Sequence, residues 1–198
     1  MPNSSTKDDK LPPKQYVRNR ILKWGTEHPG ISKRQPEINR EKWHLIIDGL
    51  VESPQNFTWD QLNQLPMVES TSDFHCVETW TVPNQKWIGV PFKEIVKLVK
   101  PKKEAKFVWI ECADNYTTSL PIEELLPDEN ILAIKLNGEL LDQGYGGPLR
   151  LVAPQKYAYK SAMYITKITF IEKDELGYWE QRGYSNTADV WKNDRYSE

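Results

Sequence analysis

Metal-binding and thiol chemistry are thinly supplied in this chain: two cysteines, Cys76 and Cys112, and three histidines, His28, His44 and His75, in 198 residues. Two cysteines do not make a disulfide framework, and nothing in their spacing demands a bridge between them. There is no Cys-x-x-Cys pair and no His-Glu-x-x-His segment, so the usual zinc sites are missing. No glycine-rich phosphate loop opens a helix. A net charge of −2 carries no general affinity for polyanions, and nucleic acid is not an expected partner. No apolar run reaches the length of a membrane-crossing helix, so direct membrane insertion is not expected. The first ten residues carry neither an apolar signal core nor a twin-arginine pair. The compartment expected from them is the cytoplasm.

What is present is the composition of a folded domain. Hydrophobic residues make up 38% and aromatic residues 11%, with eight Trp and nine Tyr. Fourteen prolines and many short apolar runs favour strands and loops over a helical bundle. Residues 1–14 are polar and read as a disordered tail. Residues 15–198 read as one domain, opening with an extended arm over 15–40. Trp43 to Asp48 is strand-like. Thr58 and Gln61 form a capping-box pattern that opens a short helix ending before Pro66. Residues 74–80 read as a strand running into a loop that carries Cys76. Phe92, Ile95, Val96 and Val99 have helical spacing and stop at Pro101. Strands are expected at Phe107–Cys112, Leu149–Val152 and Tyr164–Ile171, with a short helix over Pro121–Leu126. Asn137-Gly138 between two apolar runs predicts a hairpin. The fold class expected is α+β, mainly β, in a single domain with short helices.

Three constellations stand out. Cys76 lies in Asp73-Phe-His-Cys-Val-Glu-Thr-Trp80, with Trp87-Ile-Gly-Val90 behind it. A thiolate is a soft metal ligand, and one cysteine suffices when a cofactor brings the other ligands. The alternatives are a buried structural cysteine and a thiol nucleophile. His75 points to the opposite face of a strand from its neighbour, and His44 reads as structural. The second constellation is Gly144-Tyr-Gly-Gly-Pro-Leu-Arg150 with Tyr157-Ala-Tyr-Lys-Ser-Ala162. Its paired glycines permit close backbone approach to a ligand, Arg150 offers a planar donor fork, Lys160 a point charge and Ser161 a hydroxyl. The ordinary alternative is a tight turn with solvated cations. The third, Asp114-Asn-Tyr-Thr-Thr-Ser-Leu-Pro121, puts a phenol and three hydroxyls on a loop after a strand, which is also ordinary turn chemistry.

In combination, and in this order along Tyr16–Tyr196, these segments resemble the molybdopterin-binding domain of the sulfite oxidase family. They are most similar to the bacterial and archaeal branch that includes the catalytic subunit of periplasmic methionine sulfoxide reductase. Gly177-Tyr-Trp-Glu180, Gly183-Tyr184 and the Trp191–Tyr196 ending fit that branch too. The resemblance implies a molybdenum–molybdopterin cofactor, with tungsten left open, and a molybdenum centre whose one protein ligand is Cys76. It implies an oxygen-atom transfer to or from a small substrate such as an S- or N-oxide. Arg150 matches the arginine that holds the cofactor, and Ser161, Ala162 and Met163 the stretch that follows it, although many members have lysine at the Met163 position. Lys160 belongs to the same segment. Asn19, Leu22 and Lys23 match an arm that contacts the pterin. Tyr145 falls where relatives often have His or Asn, and Cys112 near a cofactor-contacting threonine position. Tyr116 resembles the family's active-site tyrosine. The arginine cluster that binds sulfite is not evident, and Glu78 would repel an anion if it faced the pocket, so sulfite is disfavoured. Without a fused haem domain, electrons are expected to pass to or from a separate electron-transfer protein or membrane redox subunit.

Overall fold

A computed structural model describes residues 11–32 and 34–197. Most of the expected tail therefore lies outside the described residues. Its last four residues do not: Pro12 is buried, and its carbonyl accepts the Gln15 N–H at 3.2 Å. The arm that follows contributes a short strand, β1 (Tyr16–Val17).

Two sheets make the body. The first is built on β5 (Trp80–Pro91), which pairs with β1 in parallel and with β4 (Val68–His75) and β8 (Ile131–Leu136) antiparallel. β9 (Glu139–Leu140) and β10 (Arg150–Val152) both add to β8. The second sheet runs β3 (Gln55–Thr58), β2 (His44–Gly49), β11 (Ile165–Ile171), β6 (Phe107–Cys112) and β7 (Thr117–Pro121). Its central strand β11 is parallel to β2 and antiparallel to β6, setting Ile168 opposite both Ile47 and Ile110, all three buried. Burial alternates along β2, β6 and β11, the mark of sheets with one face on a core.

The helices are short. α1 (Trp59–Asn63) starts at the capping box: the Gln61 N–H donates to Thr58 Oγ1 and the Thr58 N–H to Gln61 Oε1. α2 (Phe92–Val99) buries Phe92, Ile95 and Val99, and α3 (Ile122–Leu125) buries Leu125. The larger core cluster spans the second sheet and α2; a smaller one, holding Cys76, Trp80, Val82 and Trp87, lies on the first. Gly49, at φ +88, ends β2 where an added Cβ would stand 2.3 Å from the Phe170 carbonyl oxygen, so only glycine fits.

One boundary differs from expectation. The strand read over 74–80 is two strands: β4 ends at His75, and residues 76–79 are the tip of the β4–β5 hairpin. Cys76 is the first residue of that tip, directly after β4, so it lies on a loop, as read from the sequence.

Candidate cofactor site

The hairpin tip is tied from three sides. The Cys76 N–H donates to Trp80 O at 2.8 Å and the Thr79 N–H to Cys76 O at 3.2 Å. Gln15 Nε2, from the start of the arm, donates to Cys76 O at 3.1 Å. Arg195 Nη1, from the C-terminal segment, donates to Val77 O. His75 turns away from the thiol, its Nδ1 2.8 Å from Thr81 Oγ1, which itself donates to Gln15.

Cys76 faces a cavity of about 300 Å³. Its walls are the hairpin tip, the loop after β6 with Asp114 and Tyr116, the 158–163 segment, and the arm through Leu22, Trp24 and His28–Ile31. The lining is largely apolar and aromatic, with few polar groups, as in ligand pockets generally. Burial, with the Glu78 carboxylate adding to it, pushes the Cys76 thiol up to about 12, although the N–H groups of Glu78 and Val77 and the Arg195 charge favour its thiolate. A thiol so held is inert as a free nucleophile near neutral pH. Cys112 is free and buried in the other core cluster, with its own thiol pushed well up by burial, so the two cysteines do not form a redox pair. Among the described residues no three His, Cys, Asp or Glu side chains gather to hold a metal. A metal on Cys76 therefore takes its remaining ligands from a non-protein group.

Arg150 forms part of the cavity wall and is 2% exposed. Its Nη1 donates to Tyr145 O at 3.0 Å and its Nη2 to Ser161 O at 3.2 Å, both neutral acceptors. Its Nε is buried without a partner, and no described ion pair includes it. The guanidinium lies 5.2 Å from the Phe74 ring and 5.3 Å from that of Trp87. Burial lowers it from 12.5 to about 10, still charged at neutral pH. A buried cation without a carboxylate, on the wall of a cavity, is arranged for an anionic ligand. The residues present thus fit a cofactor carrying phosphate and metal-bound sulfur.

The structure brings Leu22, Cys76, Tyr116, Arg150, Ser161, Ala162 and Met163 to this cavity. The Ser161 hydroxyl accepts the Ala153 N–H at 3.1 Å, leaving its proton free to donate. The Tyr116 phenol donates to Tyr159 O at 2.5 Å, so it offers a ligand only its lone pairs unless that bond opens. Asn19 and Tyr145 line a neighbouring depression. Lys23 lies outside the cavity, paired with Asp142 at 2.5 Å. Cys112 is a core residue.

Lys160 is corrected from solvated or ligand-facing to structural. It is 1% exposed, and its ammonium donates to Ser119 O, Asn186 Oδ1 and Glu180 Oε1, the last at 2.5 Å. The paired glycines are corrected too. A Cβ on Gly146 would strike Met163, and one on Gly147 would strike Leu141 O, so both serve packing against protein. The glycine of this segment on the cavity wall is Gly144. Wall residues that sequence reasoning gave no role include Trp24, Phe74, Trp179 and the stacked pair Trp24–His28, with ring centroids 3.9 Å apart. Phe74 and Trp179 fall inside the motif segments, while only the aromatic residues of an otherwise polar arm hint at Trp24 and His28.

A single buried thiol and an unpaired buried guanidinium around an aromatic cavity fit a site for an anionic metal cofactor. The chain belongs to the oxidoreductase molybdopterin binding domain family, whose model matches residues 32–179. It is 35% identical over 156 residues to the uncharacterized oxidoreductase YuiH of Bacillus subtilis (strain 168), covering 79% of each chain. It is 27% identical over 202 residues to the protein-methionine-sulfoxide reductase catalytic subunit MsrP of Ralstonia nicotianae, covering 91% of this chain and 61% of that one. Among solved structures, the sulfane dehydrogenase SoxCD of Paracoccus pantotrophus superposes with a TM-score of 0.67 at 26% identity, over 75% of this chain and 42% of that one. The protein is thus a molybdopterin-binding oxidoreductase with the sulfite-oxidase-like fold.

Proposed function

We propose that this oxidoreductase reduces a small, uncharged S-oxide or N-oxide, with electrons from a separate redox protein or membrane subunit. The observation that carries the reading is the Cys76–Arg150 cavity: one metal-ligating thiol, one unpaired cation for an anionic cofactor, and, among the described residues, no other unpaired cation on the wall. When bound, the molybdenum cofactor supplies the two-electron exchange of an oxygen atom. Cys76 holds the metal, Arg150 and the Ser161–Met163 stretch hold the cofactor's anionic and polar groups, and the arm shields them from water. Among the described residues, the remaining charged wall residues are Glu78, bridged to His28 at 2.9 Å, and Asp114, whose carboxyl burial raises above its usual range. Two carboxyl groups at the wall disfavour an anionic substrate and accept a neutral one.

Sulfur substrates are supported by the two named relatives, a methionine-sulfoxide reductase subunit and a sulfane dehydrogenase. The name catalytic subunit also supports a separate electron partner. A cytoplasmic location is part of the proposal, and cell fractionation decides it. Protein from a molybdenum-replete host, reduced by a viologen dye, is expected to turn over methionine sulfoxide or trimethylamine N-oxide and to leave sulfite untouched. Sulfite oxidation with no oxide reduction overturns the substrate assignment.

A further inference from the structure

The C-terminal segment contains a cation that the cofactor pocket does not use. Arg195 is 7% exposed and belongs to none of the described ion pairs. Its Nε donates to Asn193 Oδ1 at 2.9 Å, its guanidinium lies 4.6 Å over the buried Tyr157 ring, and its Nη2 is buried with no partner. Nη1 donates to the carbonyl of Val77, the residue after Cys76. The segment is itself clipped in place: Ser185 N–H donates to Arg195 O at 3.0 Å, and the Ser185 hydroxyl donates to Asp194 at 2.6 Å. Arg195 does not line the cavity, so its charge reaches the sulfur from behind, through the hairpin tip.

We infer that Arg195 is a positioning residue for the metal centre: it anchors the Cys76 hairpin tip and places a positive charge, in no described ion pair, beside the residue that follows the metal-binding cysteine. The inference rests on the proposed Cys76 ligation. The charge sits against the carbonyl of Val77, the residue next to Cys76, with its Nη2 buried and unpartnered. Reduction adds negative charge to a metal–thiolate unit, and a nearby desolvated cation stabilises the more negative state. Arg195 therefore raises the reduction potential of the bound metal. A lysine keeps the charge but, lacking the planar fork, cannot hold Asn193 and Val77 together.

The test compares Arg195→Gln and Arg195→Lys with wild type, each prepared with and without cofactor. In cofactor-free protein, amide exchange over residues 76–80 is expected to quicken in both variants. Unchanged exchange in both overturns the anchoring role whether or not the protein binds molybdenum. In molybdenum-loaded protein, EPR-monitored titration is expected to show a lower midpoint potential for Arg195→Gln. Arg195→Lys is expected to return most of the way to wild type. A molybdenum-loaded Arg195→Gln protein with the wild-type potential, or a Lys variant shifted as far as Gln, overturns the charge role. Absence of molybdenum from wild type would instead strike the proposed function, and the exchange result would still decide the anchoring. If the Gln variant does not fold, the Lys variant decides both parts: quickened exchange with a near-wild-type potential is expected, and a large potential drop is the contrary result.

Discussion

Replacing Arg150 by methionine separates a binding residue from a structural one. The guanidinium is held at about 10 against an ordinary 12.5. That difference corresponds to about 3 kcal/mol against the charged form in the folded protein. The sign follows from proton uptake: below pH 10 both states are charged and the cost is fully present. It lessens only as pH rises from about 10 towards 12.5, where the unfolded chain binds more protons. Methionine removes this cost and fills the volume of the stem. It leaves the Tyr145 and Ser161 carbonyls without a donor, at about 1 kcal/mol each, and loses the contacts with Phe74 and Trp87, worth about 1 kcal/mol. The terms nearly cancel. Urea unfolding of cofactor-free Arg150→Met is therefore expected to match wild type within about 1 kcal/mol. Cofactor retention is a different matter. Loss of charge-assisted bonds worth about 1.5–3 kcal/mol lowers affinity about ten- to a hundredfold. Molybdenum per chain after purification reads that loss. A variant destabilised by several kcal/mol, or one that keeps its full molybdenum, refutes the assignment of Arg150 to the cofactor.

Three further outcomes follow from single contacts. Lys160→Met strands Glu180, whose carboxylate is buried with Oε2 unpartnered, and is expected to cost about 3–5 kcal/mol in chemical denaturation. Lys160→Met with Glu180→Gln recovers most of it, and additive losses contradict the pairing. Gly49→Ala is expected to cost at least about 2 kcal/mol, because a left-handed φ is combined with a collision at Phe170 O; a near-neutral result contradicts the geometry. In the arm, the hydrogen bonds from Arg20 and the Lys23 N–H hold the Glu27 carboxylate down to about 2. Its folded value lies below the ordinary 4.5, so the contribution is fully present above pH 4.5 and is lost as pH falls through about 2. A carboxyl NMR titration of Glu27 with its midpoint near 4.5 contradicts the bridge.

Local chemistry made much of the fold legible. The Thr58–Gln61 box, the α2 spacing and the Asn137-Gly138 hairpin depend on residues close in sequence, and all three form as read. β4 was only partly legible, because Val68–Asp73 is mostly polar and carries no apolar alternation for its sheet partner to enforce. The parallel pairings of β1 with β5 and β11 with β2 join segments far apart in the chain, which periodicity cannot report. At the site, Cys76 and Arg150 were recognisable by motif because metal and anion binding need those residue types. Lys160 was misread because its partner Glu180 is twenty residues away, and only the fold joins them. The arm's part at the site was legible only through the resemblance, at Asn19, Leu22 and Lys23; Trp24 and Ile31 gain meaning only when β1 docks on β5 and lays the chain across the hairpin tip.

The central claim is that Cys76 is the protein's bond to a molybdenum centre in this cavity. Metal and pterin analysis of protein from a molybdenum-replete host, beside Cys76→Ser, tests it directly. The account predicts about one molybdenum and one pterin per wild-type chain, with the metal's thiolate spectroscopic signature and oxide reduction both lost in Cys76→Ser. A wild-type protein that carries no molybdenum under those conditions, or a serine variant that keeps the metal with an unaltered spectrum, contradicts it.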